Sequence, residues 1–119
     1  MSEIVYKVVK REHDGLYSVY AKHAWRVKYE LGVSTSGIDG TPVFAFDMRR
    51  FARHFARMRD LEIWRAEAPE WTPIAFVPGG VTLTWSAFWH NGEHFRGVTI
   101  PAPMGTVICP EITLIERVE

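Results

Sequence analysis

The chain has 119 residues, 47% of them hydrophobic and 24% charged, and its fourteen basic side chains balance fourteen acidic ones. That length makes one domain, 1–119, and that composition builds a core rather than a disordered chain. Zero formal charge argues against a dedicated DNA binder and against an acidic DNA mimic, leaves room for a local patch, and favours self-association.

Cys109 is the only cysteine, which excludes an intrachain disulfide and suits a reducing compartment. The first residues, Met-Ser-Glu-Ile-Val-Tyr-Lys, have no apolar signal-peptide region, and no apolar run approaches the roughly 20 residues of a spanning helix. The expected location is cytoplasmic, with no membrane contact.

In chain order, Glu3 to Lys10 predicts a first strand, with Ile4, Tyr6 and Val8 alternating against Val5, Lys7 and Val9. The Asp14-Gly15 turn leads into a strand from about Leu16 to Tyr20 that pairs back on it. Trp25 to Tyr29 alternates an apolar face with a charged one, Leu31 to Gly40 is a polar loop, and Thr41 to Phe46 is a short strand. A helix is predicted over Met48 to Arg59, started by Asp47 at its free amide end. Its apolar stripe is Met48, Phe51, Ala52, Phe55 and Met58; Arg49, Arg50, Arg53 and Arg57 lie opposite.

Leu61 to Ala68 is the next strand, ended by Pro69. A β-meander is predicted beyond it: Thr72 to Val77, Val81 to His90, Glu93 to Ile100, Thr106 to Cys109 and Ile112 to Val118. Asn91-Gly92 marks a two-residue hairpin, and Pro101 and Pro103 break the pairing. The expected fold class is therefore α+β: a bent, mostly antiparallel sheet packed around one main amphipathic helix, about 48–59, with a C-terminal β-meander. Phe51 and Phe55 are expected to pack on Tyr6, Val8, Trp64 and Trp85.

Four features carry candidate chemistry. His90-Asn91-Gly92-Glu93-His94 has the H-x-x-E-H spacing of inverted zinc peptidases, which needs a helix to bring both histidines to one face. Asn-Gly makes a hairpin instead and puts His90 and His94 on opposite faces, so no metal site is expected. The hairpin register puts Phe88, His90 and Phe95 on one face among Thr82, Thr84 and Ser86. Such a face is either a contact surface or covered by another segment of the chain. Arg49, Arg53 and Arg57, with Arg50 and His54, either bind phosphates or an acidic partner, or form a solvated face neutralised by carboxylates such as Glu62 or Glu67. Cys109, before Pro110 in an apolar strand, reads as a buried structural thiol.

Ser34-Thr35-Ser36, with Arg11 near the end of the first strand, resembles elements of arginine-class ADP-ribosyltransferases, but no Glu-x-Glu or Gln-x-Glu follows. A broader resemblance rests on Val5-Tyr6-Lys7-Val8-Val9, Leu16-Tyr17-Ser18, Tyr29-Glu30-Leu31-Gly32 and Val43-Phe44-Ala45-Phe46 with Ala52 and Phe55. Glu62-Ile63-Trp64-Arg65-Ala66-Glu67 and Gly105-Thr106-Val107-Ile108-Cys109 through Leu114 complete it. This order resembles a family of small uncharacterised proteins of bacteria, archaea and their phages. The resemblance implies a shared fold and a mobile-element setting, and no catalytic residue.

The expected function is a non-enzymatic binding protein, a phage or prophage accessory protein contacting a host component through the aromatic hairpin face. A protein partner or a second copy of the chain is the expected contact, and no cofactor is expected. The alternative is a small nucleotide- or dinucleotide-processing enzyme, ADP-ribosyltransferase-like, with the arginine helix holding phosphates; catalytic residues are unknown in either case.

Overall fold

The computed structural model describes residues 3–19, 26–37, 41–57, 60–78 and 99–119, and of residues 78, 99 and 100 the backbone alone. The chain forms β1 (Glu3–Glu12), β2 (Gly15–Ser18), β3 (Lys28–Tyr29), β4 (Thr35–Ser36), β5 (Val43–Phe46), α1 (Arg49–Ala56), β6 (Glu62–Ala68), β7 (Thr72–Pro73), β8 (Phe76–Pro78), β9 (Thr99–Pro101), β10 (Thr106–Cys109) and β11 (Glu111–Arg117). Nine strands join in one sheet, ordered β4-β11-β6-β1-β5-β10-β7, with β2 on β1 and β3 on β2; β8 and β9 form a separate pair. All these pairings are antiparallel.

β1 is the organising strand. Its residues 4–9 are β-branched or aromatic except Lys7, a composition suited to a strand covered on both faces. One edge pairs with β6 without interruption from Glu3↔Ala68 to Val9↔Glu62. The other edge is shared. It meets β5 at Tyr6↔Phe46, then β2 from Val9↔Ser18 to Glu12↔Gly15. The sheet thus forks along β1 between Tyr6 and Val9.

The alternation of β1 divides the interior in two. Val5 and Val9 enter the main core with Leu16, Val27, Tyr29, Val43, Ala45, Trp64, Val107, Cys109, Ile112 and Leu114, all of them strand or loop residues. Val8 and Tyr6 face the other way, toward Phe46, Ile63, Ala52, Phe51 and Phe55. The helix closes this second, smaller core: Ala52 is its only buried residue, and the Phe55 ring lies 5.4 Å from that of Phe46.

The expected α+β class is therefore corrected to a small β-rich fold. The larger core is enclosed by strands with no helical residue, so the sheet is not wrapped around α1. Among the described residues α1 is the only helix, and it has eight residues. Asp47 does not cap it; the cap position is Met48, without a side-chain hydrogen bond, and Arg57 leaves helical geometry at ψ 137°. The expected C-terminal meander is contradicted at its last step, while its strands Val81 to His90 and most of Glu93 to Ile100 lie outside the described residues. Consecutive β10 and β11 are not neighbours, because β10 pairs with β5 and β7 while β11 pairs with β6 and β4. Pro101, expected to break pairing, lies opposite Phe76 in the β8–β9 pair. Within the predicted polar loop, Thr35 and Ser36 pair with β11. Trp64 lies in the main core, away from Phe51 and Phe55, and Trp85 lies outside the described residues.

The turn before β10 fixes the helix to the sheet. Gly105 has φ +82° and its carbonyl accepts a hydrogen bond from the Asp47 amide at 3.0 Å. A Cβ on Gly105 would collide with the Phe51 ring, whereas one on Gly32, with φ +77°, meets nothing within 4 Å. Gly105→Ala is therefore expected to cost about 2–4 kcal/mol through combined backbone strain and overpacking, and Gly32→Ala about 1 kcal/mol through backbone strain alone. Urea denaturation of the two variants measures the difference.

Candidate functional site

Two places in the fold hold polar groups that the packing alone does not explain. The first is the fork in β1. Lys7 shares a face with Val5 and Val9, stands beside Trp64 across the β1–β6 ladder, and is only 6% exposed. Its Nζ donates a hydrogen bond to the Phe44 carbonyl at 2.6 Å and lies 5.5 Å from the centre of the Tyr29 ring. No carboxylate pairs with it among the described residues. Glu62, the carboxylate on the same face of β6, accepts from both Arg11 and Trp64 and sits 3.7 Å from Arg117.

Burial without a counter-charge disfavours the ammonium form, and the Lys7 pKa falls to about 8. The neighbouring Cys109 thiol is pushed up to about 11, and burial also raises Tyr29, so both remain protonated at neutral pH. A cavity of about 40 Å³ fills the fork, measured as space open to the centre of a water-sized sphere. Lys7, Tyr29, Thr41 and Thr106 supply polar lining, and Val8, Val27, Phe46 and Phe55 supply apolar lining. Ser18, Val19, Gly37 and Pro42, also in the lining, are only half-buried and form its outer side.

The second place is the outer side of α1, where the arginines separate into two groups. Arg49 and Arg53 both bond the Glu119 carboxylate, at 2.9 Å and 2.8 Å, and Arg49 also donates to the Val118 carbonyl. Arg53 first, then Arg49, holds the Glu119 carboxyl below its usual range. The carboxylate facing these arginines is thus Glu119, not Glu62 or Glu67. Arg50, His54 and Arg57 follow i, i+4, i+7 spacing and line an open groove of about 920 Å³ with Phe51, Phe55, Pro103 and Met104. None of these three basic groups has a carboxylate partner among the described residues. Arg50 lies 4.8 Å from the Phe51 ring centre, and Met104 is 75% exposed.

The remaining sequence candidates are scattered. Phe88, His90, Phe95 and the whole Asn91-Gly92 hairpin lie outside the described residues. Ser34 and Ser36 are exposed, Thr35 donates to the Val33 carbonyl, and the Arg11 guanidinium is held by Glu62. Cys109 is fully buried. Lys7 went unnoticed in the sequence, although a lone lysine between Val5-Tyr6 and Val8-Val9 is the signal that marks it. Among the described residues no cluster of His, Cys, Asp or Glu is arranged to hold a metal ion, and no helix is long and apolar enough to cross a membrane.

Fold and sites together define a small antiparallel β protein with one buried lysine cavity and one basic, partly apolar groove. Comparison with protein-family models, curated proteins and solved structures found no match.

Lys7 gives the fold a distinctive pH dependence. Its ordinary pKa is 10.5 and its folded value about 8, so between these values the unfolded chain binds more protons and stability rises with pH. The burial penalty is fully present below pH 8, and neutralisation relieves about 3 kcal/mol of it by pH 10.5. Cys109, raised from 9 to about 11, opposes this above pH 9, where the unfolded thiol ionises first. Lys7→Met is expected to abolish the rise between pH 8 and 9 and to raise stability at pH 7, as read by urea denaturation across that range.

Proposed function

We propose that this chain is a non-enzymatic binding protein whose contact surface includes the groove along α1, and that its occupant is an acidic, partly apolar segment of a partner protein. The observation that carries the reading is the set of Arg50, His54 and Arg57, without carboxylate partners among the described residues, above an apolar floor of Phe51, Pro103 and Met104. Cationic groups beside exposed apolar side chains complement a segment that alternates carboxylates with apolar anchors. A protein segment suits the groove better than a nucleic acid does: the chain has no net charge, and three basic groups neutralise few phosphates. The aromatic face expected from the hairpin sequence, Phe88, His90 and Phe95, supplies a second contact, to the same partner or to another copy of this chain. The resemblance to phage-borne proteins suggests a host component as that partner.

The phosphate-binding alternative draws on the same Arg50 and Arg57, while Arg49 and Arg53 are engaged by Glu119. Arg50→Glu with Arg57→Glu is expected to weaken binding of a fluorescent Glu/Leu peptide at least tenfold, with Lys10→Glu as the control. ATP and single-stranded DNA are expected to bind weakly or not at all at 150 mM salt. Tight ATP binding lost in the double variant would favour the nucleotide reading; unchanged peptide affinity would remove the groove as the contact.

A further inference from the structure

We infer that Lys7 is the amine of a covalent binding site for a neutral carbonyl compound of two or three carbons. A buried lysine without a carboxylate is costly, and an apolar residue of similar volume fills such a position at no electrostatic cost. This lysine does not fill its space, however. It lies where β1 passes from β5 to β2, and the cavity opens there. Its Nζ is placed between two lining groups, the Phe44 carbonyl and the Tyr29 ring.

The cavity sets the ligand class. About 40 Å³ open to the centre of a water molecule holds about three waters, or a molecule of a few heavy atoms. Its apolar lining, Val8, Val27, Phe46 and Phe55, favours an uncharged compound. The Ser18 hydroxyl also lines it; its oxygen accepts from the Val27 amide, which leaves its proton to donate to a carbonyl oxygen.

The chemistry closes without a further reagent. The neutral amine attacks the carbonyl carbon, and a proton moves from nitrogen to oxygen to give a carbinolamine. Loss of the hydroxyl with the second nitrogen proton releases water and leaves a C=N bond between ligand and Nζ. A lysine whose neutral form makes up about half of the population near pH 8 is available for the first step, whereas an ordinary lysine is protonated there.

The test is borohydride trapping with glycolaldehyde on the intact, folded chain, followed by peptide mapping. At pH 8, Lys7 is expected to be labelled at least tenfold faster than the exposed Lys10 and Lys28. The rate at Lys7 should level off above about pH 8 to 9. In 8 M urea the three lysines should become equivalent. Lys7→Met should lose the fast site and keep the slow ones. Labelling of Lys7 no faster than of Lys10 and Lys28 in the folded protein would overturn the inference, as would a Lys7 rate that rises to match theirs only on unfolding. Because the readout is made on the wild-type chain, failure of a variant to fold does not affect it, and the groove along α1 plays no part in the result.

Discussion

The fold depends on β1 being paired along both edges, with the second edge divided between β5 and β2. β1 is also covered on both faces over its middle, with Val5 and Val9 in the main core and Tyr6 and Val8 toward the helix. β6 pairs with it through Ala66 and Ala68, small side chains that are fully buried in the main core. Everything else attaches to this frame: β11 beyond β6, β10 beyond β5, β3 beyond β2, and the helix against Tyr6 and Val8.

The fork has a chemical consequence. Three strands meeting at one edge cannot close perfectly, and the gap falls beside Lys7. The fold then places one ammonium group in its interior with a carbonyl oxygen and an aromatic ring for company, while the nearby carboxylate of Glu62 is claimed by Arg11 and Trp64. Charge is handled differently on the surface. There the last residue, Glu119, gathers Arg49 and Arg53, and the β11 terminus is tied to the helix; Arg50, His54 and Arg57 are left facing the groove.

Much of the strand content was legible in the sequence, because alternating β-branched residues and the turns at Asp14-Gly15 and Pro69 act locally. Thr106–Cys109 falls where the pattern puts it, and Glu62–Ala68 begins one residue later. What the pattern could not convey was who pairs with whom. The α+β expectation rested on one strong helical stripe, yet that stripe buries only Ala52 fully, and the larger core is assembled by long-range pairings that leave no local mark. The arginine helix was visible as a charged face. Its division at Arg49 and Arg53 depends on Glu119, sixty-six and seventy residues away, so no spacing rule reveals it. A lysine in an alternating strand ordinarily lies on the solvent side, and the burial of Lys7 comes from strands that pair with β1 at long range.

The account turns on a lysine held inside the sheet without a counter-charge among the described residues. The direct measurement is the titration of the Lys7 side chain by heteronuclear NMR of the Cε and Nζ signals, assigned with Lys7→Arg. A titration near pH 8 is the expected result. A Lys7 signal titrating near the ordinary lysine value of 10.5 would place the amine in water, and would contradict both its burial at the fork and the chemistry assigned to it.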